Sequence, residues 1–308
     1  MYPKISVIIP AYNAESTICR AVDSALNQLN GEVEVIVVDD CSQDATVSVI
    51  NNQYSQNERV KLFRTVTNSG PSTARNIGIE NACGSWISLL DADDWFVQGR
   101  LSALFSSALE HQLDLIADSY YLIHNQAPSP HSSRFTTLSK PDCVTLFTGG
   151  SFVRHGLGSV KPLIKKVFLE RTQIRFDPSV WHGEDMLFFV TLLLNSARFG
   201  LLNTPFYIRS ETSDSLSKSD KVKLLKNLQK VFIKLQEETI ALGKENHEIN
   251  KALKYRAIVT KDALAAARWE FWFKNMGKKH LPRFPSLLSA MRHLLLKNKR
   301  YHNAKNSV

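Results

Sequence analysis

A run of five residues, Trp86-Ile-Ser-Leu-Leu90, apolar but for its one serine, leads straight into Asp91-Ala-Asp-Asp94. This junction constrains the chain more than any other stretch. A strand rich in apolar residues is buried, and in an open α/β sheet ligands gather outside the carboxyl ends of the strands. Three acids at such an end repel one another unless a cation sits among them. Mg²⁺ binds through one or two carboxylates plus substrate phosphates, so the spacing suits a metal-bound nucleotide. A polar turn after a core strand, with Asp94 capping the next helix, is the structural alternative.

The flanking sequence repeats the pattern. Lys4–Pro10, Glu34–Val38, Val60–Thr65 and Trp86–Leu90 read as strands separated by helical stretches. Asn13 is expected to cap a helix near 15–28, and a second helix begins at Ala45. This β-α-β-α-β-α-β rhythm with short connections predicts a doubly wound, parallel sheet. No Gly-x-Gly-x-x-Gly follows the first strand, which disfavours a dinucleotide-binding domain. Further on, Leu113–Tyr121 and Phe199–Ile208 read as strands, and Asn125–Ser139, rich in Pro, Ser and His, as a loop. Two acids, Glu184 and Asp185, open an apolar helix running to about Ser196. Beyond Ser210 the composition becomes helical and polar, so a boundary is placed at residue 212. The expected division is a catalytic domain over 1–212 and a helical extension over 213–308, whose first helix, 221–242, packs an apolar stripe on the body.

The chain has 308 residues and a formal charge of +9. Nine Lys and Arg and no Asp or Glu fall between Lys274 and Val308, so the remainder is close to neutral. The basic character belongs to the tail, and nucleic acid is not an expected partner. In that tail Leu287, Leu288, Met291, Leu294 and Leu295 share a helical face beside Arg292, Lys297, Lys299 and Arg300, a pattern suited to an anionic membrane surface. Solvated charges around a packed face would read the same way. Four dispersed cysteines, no leader-like run and no 18-residue apolar stretch fit a cytoplasmic protein, at most peripheral on the inner face of the plasma membrane.

Taken together, Val7-Ile-Ile-Pro-Ala-Tyr-Asn13, Val37-Val-Asp-Asp-Cys-Ser42, Gly70-Pro-Ser-Thr-Ala-Arg-Asn-Ile-Gly78, Asp91-Ala-Asp-Asp94 and Gly183-Glu-Asp185 resemble the motifs of family 2 glycosyltransferases of the GT-A fold, over roughly residues 3–212. The resemblance implies a mixed sheet with flanking helices and an inverting, metal-dependent transfer from a UDP-sugar. Pro10, Ala11 and Tyr12 would wall the nucleotide base, and Asp40 would accept from the uracil imide. Gly70 would let the backbone approach ribose or phosphate, and Arg75 would meet an anion. Asp91 would hold the ribose and Asp93 the metal, Mg²⁺ or Mn²⁺; Asp94 would reach the metal shell or sugar hydroxyls. Of Glu184 and Asp185, the family pattern makes Asp185 the general base. The implied acceptor is a glycan, lipid-linked, in bacterial surface polysaccharide synthesis, and a homodimer is left open. Each residue also has a plain structural reading: packing for Tyr12, helix capping for Asp40 and for the Glu184–Asp185 pair, an exposed cation for Arg75. A catalytically dead nucleotide-sugar-binding scaffold would lack the base or the acid cluster, and neither is missing. A nucleotidyltransferase would carry a Gly-rich basic loop after the first strand, and Pro10-Ala-Tyr-Asn13 is none.

Overall fold

The computed structural model describes residues 4–124, 127–136, 138, 140, 142–211, 221–243 and 247–275. Among these described residues, ten strands form one mixed sheet: β1 (Ile5–Ala11), β2 (Val33–Asp39), β3 (Val60–Arg64), β4 (Trp86–Leu89), β5 (Trp95–Phe96), β6 (Leu115–His124), β7 (Ala127–Arg134), β8 (Val144–Phe147), β9 (Leu163–Lys165) and β10 (Phe199–Glu211). The order is β3-β2-β1-β4-β9-β6-β10-β5, with β7 on β6 and β8 on β10. β1, β2, β3 and β4 are parallel, as are β6 and β10; β9, β5, β7 and β8 run antiparallel to their neighbours.

Strict alternation places the sheet between two apolar layers. Val7, Ile9, Val35 and Val37 face one core with helices α1 (Ile18–Leu26), α2 (Thr46–Tyr54) and α4 (Arg100–Glu110). Ile8, Ile36 and Val38 face the other, with α3 (Pro71–Glu80), α5 (Gly149–His155), α6 (Lys166–Thr172) and α7 (Glu184–Leu194). Burial of both faces explains why β1 and β2 read as near-continuous apolar runs. The chain leaves β1 for β2 and β3 on one side and returns to β4 on the other, so the strand order reverses between β1 and β4. That is where an α/β sheet opens a crevice at its carboxyl edge. Here Leu90 N–H donates to Ile8 C=O at 3.1 Å and Asp40 N–H to Ala11 C=O at 2.7 Å, setting the ends of three strands side by side.

Two local expectations need correction. Asn13 does not cap α1: it has φ +48, and its side chain accepts from Gln43 N–H at 2.9 Å, tying the β1 end to the β2 end instead. Part of the stretch expected as a loop is β7, paired with β6; an edge strand tolerates the prolines that made it look irregular. One compact unit runs to Leu264. Helix α8 (Lys221–Ala241) sends Val231, Phe232 and Leu235 into the core of the α7 layer, each contributing roughly 1.5–3 kcal/mol of burial. Its stripe packs on the body, and the start of α9 (His247–Asn275) adds Ile249, Ala252 and Leu253. Residues 265–275, the end of α9, fall outside that unit. The basic segment 285–300 and the loop 212–220 lie outside the described residues. All four cysteines are unpaired, and among the described residues no helix is long and apolar enough to cross a membrane.

Candidate active site

The sequence folds its acids onto one edge from two directions. Asp91, Asp93 and Asp94 follow β4, while Glu184 and Asp185 are the first residues of α7, favoured there by the helix dipole. Gly183 precedes them at φ +85, a conformation that L side chains rarely adopt, and a Cβ there would lie 2.9 Å from Leu228.

Two buried cations join the groups. Arg75, 3% exposed, reaches Asp91 at 3.0 Å, Glu184 at 3.0 Å and Asp185 at 3.3 Å. Lys161, 8% exposed, reaches Asp91 at 2.7 Å and Asp185 at 2.9 Å. Burial pulls the Arg75 pKa down, but Asp185, Asp91 and Glu184 more than reverse this and leave it above its ordinary value. Lys161 is likewise raised against its burial by Asp185 and Asp91. Burial pushes Asp91 up, and Lys161 and Arg75 overcome it, holding that carboxyl well below the usual range.

Asp93 is different. Among the described residues its carboxylate has no hydrogen bond or ion pair with another residue, although its backbone carbonyl accepts from Arg20 at 2.7 Å. Burial and the charge of Asp91 raise its pKa. A half-buried, uncompensated carboxylate beside an ionised one is a place where a divalent cation fits. No group of three His, Cys, Asp or Glu able to hold a metal by itself occurs among the described residues. Mg²⁺ needs none when water and diphosphate oxygens complete its shell.

Asp94 points elsewhere than expected. It is 2% exposed; its Oδ2 accepts from Tyr207 at 2.6 Å and its Oδ1 from Ser210 N–H at 2.8 Å. Burial, with Asp93 and Asp91 nearby, pushes its pKa well up. This carboxyl ties β10 to the acid loop rather than facing a sugar.

At the other end of the crevice, Asp40 is 4% exposed and accepts from Thr65 Oγ1 at 2.8 Å, Ser69 N–H at 2.9 Å and Gly70 N–H at 2.6 Å. It therefore shapes the turn into α3, with capacity for one further donor. Gly70 has φ +85, and the exposed Trp181 ring stands 3.8 Å from where its Cβ would be. Tyr12 is 48% exposed beside Asp40, whereas Pro10 is half-buried and Ala11 buried, acting through its carbonyl.

Several members of the site were not singled out from sequence. Lys161 is one of them; a lysine inside the apolar run Val160–Ile164 was the available signal. Tyr207 looked like any strand tyrosine. Arg209, two residues on and so on the same face of β10, packs over the Tyr120 ring at 5.9 Å with no ion pair among the described residues. Behind the site, fully buried Arg100 pairs with Asp118 at 2.7 Å and donates to the Lys161 carbonyl at 2.5 Å.

A mixed sheet with its acid loop at the β1–β4 crevice defines a GT-A glycosyltransferase fold. Solved structures with that fold superpose on the chain. S. aureus TarS in complex with UDP-GlcNAc gives a TM-score of 0.64 at 22% identity, covering 86% of this chain and 71% of that one. The mannosyltransferase PcManGT of Pyrobaculum calidifontis, in complex with GDP-Man and Mn²⁺, gives 0.65 at 17%, covering 96% and 81%. The model of glycosyl transferase family 2 matches residues 6–156. An uncharacterized glycosyltransferase of Haemophilus influenzae is 36% identical over 62% of this chain and 72% of its own length. The succinoglycan biosynthesis protein ExoU of Rhizobium meliloti is 34% identical over 73% and 67%. The chain belongs to glycosyl transferase family 2.

Proposed function

We propose that the protein is an inverting, metal-dependent hexosyltransferase that moves a sugar from a UDP-sugar to a hydroxyl of a lipid-linked glycan, in bacterial surface polysaccharide synthesis. One observation carries this reading: Arg75 and Lys161 bind the acid at the end of β4 and the acid at the start of α7 at once. A donor site and a proton acceptor are thereby set against each other. The UDP-GlcNAc bound by TarS and the succinoglycan role in the name of ExoU support the donor and the pathway class.

In this reading Tyr12 covers one face of the uracil, and Asp40 uses its remaining lone pair for the imide N–H. Asp91 orients the ribose. Asp93 would hold Mg²⁺ or Mn²⁺, which, when bound, supplies Lewis-acid stabilisation of the departing diphosphate. Asp185 takes the proton of the acceptor hydroxyl as its oxygen attacks the anomeric carbon from the face opposite UDP. The new C–O bond forms as the bond to the diphosphate breaks, so an α-linked donor gives a β-linkage. The basic tail would bring the body to a membrane-held acceptor.

The test is a panel of radiolabelled UDP- and GDP-sugars offered with Mn²⁺ and a bacterial lipid-linked acceptor pool. Label should enter the lipid fraction from one UDP-sugar with release of UDP. Transfer from GDP-sugars alone, or none at all, would overturn the reading.

A further inference from the structure

We propose that Lys161 is a positioning residue of the transfer reaction, fixing the place of the base Asp185 through its Oδ2. The inference rests on the reading of Asp185 as the base. Among the described residues, the one hydrogen bond to the Asp185 carboxylate comes from Lys161 Nζ to Oδ2, at 2.9 Å. The second oxygen, Oδ1, is buried without a hydrogen bond; Arg75 lies 3.3 Å away, outside hydrogen-bonding geometry. Asp91 is held differently. It keeps hydrogen-bonded Arg75 at 3.0 Å on its other oxygen, so it stays paired if Lys161 is lost. Removing the ammonium should therefore free the acceptor-side acid much more than the donor-side acid.

The lysine is itself held in place. Its carbonyl accepts from Arg100, whose guanidinium is clamped by Asp118 and contacts Ser88 Oγ at 3.3 Å. Asp118 in turn accepts from Phe206 N–H at 2.9 Å, on the strand that carries Tyr207. An ammonium with 8% exposure and a braced backbone has little freedom, so it sets the place of the carboxylate it binds. A misplacement of about 1 Å in a reacting group can cost on the order of 10²-fold in rate.

The test uses full-length wild type, Lys161→Met, Lys161→Arg and Asp185→Asn. UDP affinity with Mn²⁺ is measured by calorimetry, and donor-saturated UDP release is followed from the UDP-sugar that the wild type cleaves. Lys161→Met should lower that rate by roughly 10²-fold with the UDP dissociation constant changed by less than about threefold, and Lys161→Arg should recover about tenfold of the loss. A Lys161→Met rate near wild type would overturn the inference. So would an Arg variant no better than Met, or UDP affinity falling in step with the rate, which would mark a merely structural lysine. Collapse of Asp185→Asn beside an unaffected Lys161→Met would sink this inference alone; a fully active Asp185→Asn would sink the base assignment beneath it.

Discussion

The Tyr207 hydroxyl donates to Asp94 Oδ2 at 2.6 Å and accepts from Asp91 N–H at 3.3 Å, so one phenol on β10 fixes both ends of the acid loop. Tyr207 is 3% exposed, and burial with the neighbouring Asp94 raises its pKa well above the ordinary value. The acid loop is thus braced by a neutral hydroxyl as well as by the cations that hold Asp91.

Tyr207→Phe should leave Asp94 short of a donor and Asp91 N–H without its acceptor. The expected cost is about 1–3 kcal/mol of stability, read as a lower urea midpoint at unchanged slope. A midpoint equal to wild type would show that the phenol is dispensable to the loop.

Asp93→Ala should abolish the Mn²⁺ dependence of UDP binding while leaving the fold intact. In wild type, the raised Asp93 pKa means that its proton persists to higher pH than on an ordinary carboxylate. Metal must displace that proton. Mn²⁺ affinity should therefore fall as pH drops through the raised pKa, by at most about tenfold per pH unit for one proton released. Calorimetric titrations across pH would refute this if affinity stayed flat to the ordinary carboxylate range, or if Asp93→Ala kept the metal effect.

The parts of this arrangement differ in how legible they were. Asp91, Asp93, Glu184 and Asp185 stood out because acids at the end of an apolar strand or the start of an apolar helix break a pattern. Asp94 belonged to the same visible cluster, yet its direction depends on Tyr207 and Ser210, brought in by a strand far along the chain. Lys161 and the Arg100–Asp118 pair are the same case: single charges whose partners are set by β6, β9 and β10 meeting, which no local period reveals. Strands β1, β2 and β4 were readable because burial on both faces writes near-continuous apolar runs. The edge strand β7 was not, since an edge tolerates the Pro and Ser that signal a loop elsewhere.

Asp40→Ala should destabilise the protein by about 1–3 kcal/mol, because the Ser69 and Gly70 N–H groups lose their shared acceptor. UDP binding should weaken by about 1.5–3 kcal/mol in addition if the last lone pair takes the imide. Calorimetry with UDP, beside urea unfolding, separates the two; an unchanged UDP affinity would leave Asp40 a purely structural role.

Gly183→Ala forces a side chain into φ +85 and to within 2.9 Å of Leu228. A loss of roughly 1–3 kcal/mol in stability is expected, with turnover falling as the α7 start shifts. Wild-type unfolding and rate together would contradict the role given to that turn.

The most direct test of the account is Asp185→Asn, comparing UDP affinity with transfer rate on the same preparation. The amide keeps the shape of the side chain and removes the proton acceptor. UDP affinity with Mn²⁺ should stay close to wild type, while transfer falls by roughly 10²–10⁴-fold. Transfer at the wild-type rate, or an equal collapse of UDP binding and transfer, would contradict Asp185 as the base.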